Sequence, residues 1–259
     1  MAMKLMGYTT ARYGWVPDLP DHRDHLYAAP VELAAAPPAR IDLRPQCPPV
    51  YDQGQLGSCT ANAIAAAVQF DRMKQKLAQI FTPSRLFIYY NERASEHTID
   101  SDSGAQIRDG IKSVGKQGDC PETEWPYVIA RFRTKPPARC YADALKYIVV
   151  LYQRVTQTLS QLRGCLASGY PFVFGFTVYE GFESPQVART GHATLPKSGE
   201  QVVGGHAVVG VGYDDARQWL IVRNSWGAGW GMKGYFTLPY AYVTDENLAN
   251  DFWTIRVVQ

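Results

Sequence analysis

The chain has 259 residues, with 26 Lys plus Arg against 24 Asp plus Glu and a formal net charge of +2. Hydrophobic residues make up 46% and charged residues 19%, which excludes disordered, collagenous and coiled-coil classes. A chain of this size can bury roughly three quarters of its extended surface, so its core needs no staple, and the near-neutral charge gives no sign of a nucleic-acid partner.

The N-terminal segment MAMKLMGYTTARYGW lacks the unbroken apolar stretch of a secretory signal, so no signal peptide is visible. The longest apolar runs, at 148–152 and 173–178, fall far short of the ~20 residues needed to span a bilayer. A soluble protein with no membrane partner is expected. Residues 1–40 are rich in Pro, Asp and Ala and read as an extended arm, with a short helical turn near Val31 to Ala36. Tyr13, Trp15 and Tyr27 are too apolar for a free tail and are expected to pack on the body. The arm either completes the fold or lies across a groove as a short prosegment.

Ser58 precedes an alanine-rich stretch in which Ile64, Ala67, Val68 and Met73 mark an apolar face. Ser58 fits an N-cap, which places Cys59 on the first turn of a buried helix. A second helix is expected after Pro83, taken as its N1 residue. A third spans about Gln106 to Lys116, and a fourth carries Leu159, Leu162 and Leu166 and closes at Gly169. The period then changes. PFVFGFTV, HAVVGVGY, WLIVRNS and GYFTLPY read as strands, with Asp214 to Arg217 as a hairpin connection. Helices followed by strands predict an α+β chain of two lobes with the chemistry between them. A mainly helical lobe is expected over about 41–150 and a strand-rich lobe over about 151–259.

Five cysteines leave at least one free thiol if all bridges are internal. None forms a close pair and the five histidines lie far from them, which argues against structural zinc. Cys59 stands out. A thiolate is the useful nucleophile, and the partial positive charge at a helix start favours it. The ordinary alternative is a small buried core residue.

Three ordered blocks carry a resemblance: residues 52–59, DQGQLGSC; residues 205–213, GHAVVGVGY; and residues 224–231, NSWGAGWG, followed by Lys233-Gly234-Tyr235. The chain resembles the papain-like cysteine peptidases (C1 type) from about Ile41 to Gly234. The resemblance implies a two-lobe fold over 41–259, a helical lobe followed by an antiparallel β-sheet, barrel-like lobe, with the site in the cleft. It implies peptide or protein substrates, hydrolysis through a Cys59 acyl-enzyme and no cofactor or metal. His206, 147 residues beyond Cys59, would be the general acid and base. Asn224 would orient its ring, Trp226 would shield that bond, and Gln53 would donate to the oxyanion. Ser103, Gly104, Ala105, Gln106, Gly205 and Ala207 match the substrate-binding rim more loosely. The arm would then be a candidate inhibitor packed over the cleft.

The pattern breaks in places. Leu56 stands where secreted members carry a half-cystine, and Thr60 where they carry a large aromatic. The family's disulfides therefore do not transfer, and a Cys120–Cys140 pairing stays open. Restricted exopeptidase activity, other acyl transfer and peptide binding without catalysis remain alternatives to an endopeptidase. His22, His25, His97 and His192 read as solvated or structural.

Overall fold

The structure, a computed structural model, describes residues 13–259. The N-terminal arm supplies pairing more than bulk: β1 (Trp15–Val16), β2 (Leu26–Tyr27), the short helix α1 (Val31–Ala35) and β3 (Arg40–Asp42) each join something remote. Four elements then build the helical side: α2 (Cys59–Lys74), α3 (Arg85–Ser95), β4 (Ala105–Gln106) and α4 (Ile107–Gln117). After α5 (Ala138–Ala144) come β5 (Val149–Val155), α6 (Leu159–Ala167), β6 (Phe172–Tyr179), α7 (Pro185–Thr190), β7 (Val202–Asp214) and β8 (Trp219–Arg223). The chain ends with β9 (Tyr235–Pro239), α8 (Tyr240–Val243) and β10 (Ala249–Val258).

The strands form one eight-stranded sheet in the order β2-β5-β10-β6-β7-β8-β9, with β3 added against β7. All its pairs are antiparallel except β2 with β5. A second, two-stranded sheet pairs β1 with β4 in parallel. The result is an α+β fold of two lobes. Helix α2 is the wall between them, packing on α3 and α4 to one side and on β6, β7 and β10 to the other. Its alanines make this possible: every residue from Cys59 to Arg72 is buried, which a bulkier helix could not manage against two lobes at once.

The sheet's inner face is aromatic. Phe172, Phe174, Phe176 and Phe252 are buried, and Phe174 stacks on Phe252 with ring centroids 5.0 Å apart. Burying each such side chain stabilises the fold by about 1.5–3 kcal/mol. Inside the helical lobe, Arg72 lies over the rings of Phe81 and Tyr147 and pairs with Asp119 at 2.8 Å.

The helices and the four expected strands occupy their predicted places, with two corrections at helix starts. Ser58 sits at the N-cap of α2, but its hydroxyl does not cap; it meets Tyr127 Oη at 2.6 Å. Pro83 lies outside α3, because Ser84 takes the N-cap and its hydroxyl accepts from the Phe87 N–H. Strands β5 and β10 were not expected. All five cysteines are free, so the Cys120–Cys140 alternative is not realised as a bridge. Among the described residues, no helix is long and apolar enough to cross a membrane.

Candidate active site

Cys59 opens α2, with its sulfur fully buried. The Ala207 N–H points at the sulfur from 3.4 Å, and the Thr60 and Gly14 N–H groups also approach it. Ala207 follows His206 on β7, so helix start and strand meet here across the lobe boundary.

His206 is also fully buried. Its Nε2 lies 2.8 Å from Asn224 Oδ1, which fixes Nε2 as the protonated nitrogen because a carbonyl oxygen can only accept. The other ring nitrogen, Nδ1, is buried and makes no hydrogen bond with the described residues. The Trp226 indole stacks on the imidazole, centroids 4.8 Å apart and planes 27° apart.

Gln53 is fully buried behind the loop before α2. Its Nε2 donates to Leu56 O at 2.9 Å, and its Oε1 accepts from the Ser225 hydroxyl at 2.5 Å. Ser225 also donates its N–H to Asn224 Oδ1 at 2.8 Å and accepts the Gln53 N–H at 2.8 Å. One serine thus ties the glutamine to the His206–Asn224 pair. The sequence reading passed over it, although it sits inside the NSWG block.

Two departures from the family pattern have visible replacements. Asp102 accepts the Gly57 N–H at 3.0 and 3.1 Å and the Tyr89 hydroxyl at 2.5 Å. It joins the loop before Cys59 to α3 and the cleft rim. Thr60 donates to Glu92 Oε1 at 2.6 Å, both residues being fully buried. Burial pushes the Glu92 carboxyl well above its usual range.

The arm enters this site. The Tyr13 ring stands edge-on to His206 at 5.8 Å and 6.1 Å from Trp226, and its hydroxyl donates to Glu183. Gly14 O accepts the Ala105 N–H at 2.8 Å, and Trp15 and Val16 pair with Ala105 and Gln106. Of the six rim residues, Gln106 also accepts the Leu19 N–H at 3.1 Å. Gly104, Gly205 and Ala207 are covered or half-covered. Ser103 is exposed, its hydroxyl donating to Gly104 O.

Burial dominates the electrostatics. It pushes the Cys59 thiol up to about 12 and His206 down to about 4, so with the arm in place both groups are neutral near pH 7. The thiolate expected from a helix start is not favoured here, because desolvation outweighs the N–H groups around the sulfur. Among the described residues, no group of three or more His, Cys, Asp or Glu side chains could hold a metal ion. His192 is structural: it stacks on Trp219 and meets Thr237 Oγ1 at 3.1 Å.

A buried ionic cluster holds the arm. Asp18 accepts the Arg108 N–H at 3.0 Å and the Trp253 indole N–H at 2.9 Å, and Asp24 pairs with Arg108 at 2.6 Å. Burial and then the Asp251 charge push the Asp18 carboxyl up to about 6. A carboxyl raised by docking favours docking while protonated. Its contribution is whole below the ordinary pKa of about 3.9 and is lost as pH rises through about 6. Exchange protection of the Ala105 amide is therefore expected to fall roughly tenfold or more from pH 4 to 7, beyond the intrinsic rate change. In Asp18→Asn the corrected curve should be shallower, although Glu96, which accepts the Gln106 N–H and is raised to about 7, still titrates in this range. Protection that climbs with pH would contradict this linkage.

The profile described as "Papain family cysteine protease" matches residues 37–251. The crystal structure of xylellain, a cysteine protease from Xylella fastidiosa, is 46% identical with a TM-score of 0.90, covering 95% of this chain and 96% of that one. A peptidase C1-like protein of Acanthamoeba polyphaga mimivirus is 46% identical over 95% of this chain and 87% of its own length. A cathepsin B-like protein of Giardia intestinalis is 31% identical, over 79% and 70%.

Proposed function

The chain belongs to the papain family of cysteine proteases, and from that premise we propose that Cys59 and His206 hydrolyse peptide bonds through an acyl-enzyme. The observation that carries this reading is the His206 ring: Nε2 is held by Asn224, Nδ1 is buried without a partner among the described residues, and the N–H of the next residue, Ala207, points at the Cys59 sulfur. Transfer of the Cys59 proton to Nδ1 would create a thiolate–imidazolium pair. The thiolate attacks the carbonyl carbon, and charge develops on the carbonyl oxygen. The Cys59 N–H and a Gln53 amide hydrogen stabilise that charge. His206 gives its proton to the departing amine as the C–N bond breaks. Water then adds to the thioester, losing its proton to His206, and the acid product leaves as the sulfur is released. Asn224 is a better partner here than a carboxylate, because it orients the ring without neutralising the imidazolium.

The arm, in this reading, holds the site closed. Tyr13 against His206, the Gly14 main chain against Cys59 and the β1–β4 pairing occupy the ground a substrate backbone needs. Alkylation with iodoacetamide from pH 4 to 9, mapped for all five cysteines, tests both parts. In full-length protein all sites should react slowly. With the arm dislodged, Cys59 should react fast below pH 7 and slow again in His206→Ala. Five ordinary thiols in both states would defeat the thiolate–imidazolium reading.

Ser225 has a positioning role in the same scheme. In Ser225→Ala the buried Gln53 Oε1 loses its hydroxyl donor, and the amide loses one restraint on its rotation. kcat is expected to fall about three- to tenfold with KM nearly unchanged. Unchanged kcat would mean that Gln53 is oriented without the Ser225 hydroxyl.

A further inference from the structure

Trp15 lies in a built pocket rather than on a surface. Its indole N–H donates to Asp251 Oδ2 at 3.0 Å, and Asp251 is only 2% exposed. Two walls are bare backbone. A methyl group on Gly175 would lie 2.0 Å from Trp15 Cε2, and one on Gly205 would lie 2.8 Å from Cε3. The space those absent side chains leave is the space the indole fills. Gly205 precedes His206, so the pocket opens beside the proposed reacting groups.

The floor has an asymmetry. Asp251 Oδ1 accepts from Arg154 Nη2 at 3.0 Å, within the body of the protein. Oδ2 accepts from Trp15 Nε1 and from the Asp18 N–H at 2.8 Å, and both donors belong to the arm. When the Tyr13–Trp15 stretch leaves, Oδ2 loses its indole donor at the bottom of the pocket, a costly loss for a buried acceptor. Arg154 meanwhile keeps Asp251 at 3.0 Å, along with Asp18 and Asp24, each at 3.5 Å. The carboxylate charge is thus already answered by a guanidinium. A Lys or Arg side chain entering the pocket would gain little and would meet that like charge. A neutral ring with an N–H restores the lost bond without repulsion.

We propose that Asp251 selects substrates carrying tryptophan in this pocket, at the second position before the scissile bond, and that Trp15 occupies it as a stand-in for such a side chain. The proposal rests on the peptidase reading above.

The test uses the full-length protein with Gly14→Leu and Trp15→Ala together, so that the pocket is vacant. Four fluorogenic peptides differ only at that position: Trp, 1-methyltryptophan, Phe and Arg. kcat/KM for Trp is expected to exceed that for Phe about tenfold or more, with Arg lowest. The 1-methyl ring, identical but for its N–H, should drop to the Phe level or below. Asp251→Leu should bring the Trp-to-Phe ratio near one. The methylated peptide tests the same bond with the protein unaltered, so a misfolded Asp251→Leu leaves the conclusion standing. Cleavage of Phe or methylated peptides as fast as Trp, or preference for Arg, would overturn the assignment while leaving the peptidase intact. No cleavage of any peptide, nor of denatured casein, would overturn the peptidase reading and this proposal with it.

Discussion

Replacing Cys59 with alanine is expected to lower kcat/KM for peptide hydrolysis by about ten thousandfold or more. The covalent intermediate of the proposed mechanism forms on the Cys59 sulfur, while His206, held by Asn224, moves the proton. Burial pushes Cys47 and Cys165 up to about 11; Cys47 lies among Arg223, Tyr235 and Arg44, and Cys165 among Thr254, Arg256 and Asp71. Removing a nucleophile from a hydrolase that acts as a concerted unit costs about a millionfold in a well-studied serine case. What survives comes from oxyanion donors and binding alone. The substitution shortens a small buried side chain, so stability should change little. The measurement is steady-state hydrolysis of a casein-derived peptide by the arm-dislodged protein, with and without Cys59→Ala, alongside the unfolding temperature of each. His206→Ala should lose nearly as much, and the double variant no more than either alone. A Cys59→Ala protein that keeps a tenth of the activity would end the acyl-enzyme account.

The second large effect concerns Gly14. Its Cα passes so close to the loop before Cys59 that an added Cβ would lie 1.8 Å from Gly57 O. That oxygen is main chain, and the Gly57 N–H is clamped by Asp102, so it cannot retreat. Gly14→Leu should therefore expel the Tyr13–Trp15 stretch from the cleft. The remainder of the arm has its own anchors: β2 pairs with β5, β3 pairs with β7, and Tyr27 is buried. The body should therefore stay folded. Activity of the full-length protein is then expected to rise about tenfold or more, since apparent substrate affinity scales with the fraction of open sites. Gly14→Leu with native unfolding behaviour and an unchanged rate would show that this segment does not limit access.

What the sequence made legible was whatever is local or periodic. Helix α2 could be read from Ile64, Ala67 and Val68, and β6, β7, β8 and β9 from their β-branched and aromatic runs. Strand β10 escaped, although it lies between β5 and β6 near the middle of the sheet. Its sequence, ANDFWTIRVV, carries charged residues at both ends of a short apolar run, and Asp251 adopts a positive φ of 59°. The arm's destination was likewise hidden, because Trp15 pairs with a segment 90 residues away and bonds to Asp251 near the other end of the chain. Long-range partners leave no periodic trace. At the proposed site, three blocks point to Cys59, His206, Asn224 and Gln53, whereas nothing local in residues 101–104 points from Asp102 to the Gly57 amide it accepts. The helix-start argument for Cys59 weighed its N–H groups and not the desolvation that burial imposes.

The Asp102 clamp separates two demands that a thiol hydrolase normally has to reconcile. A nucleophilic cysteine must be kept reduced, and a scaffold held by cystines must not be. Here the segment leading to Cys59 is tied to its neighbours by a carboxylate that accepts one amide and one phenol, bonds with no redox potential of their own. A reductant strong enough to rescue an oxidised Cys59 therefore leaves that tie untouched, and the scaffold and its sulfur answer to different chemistry.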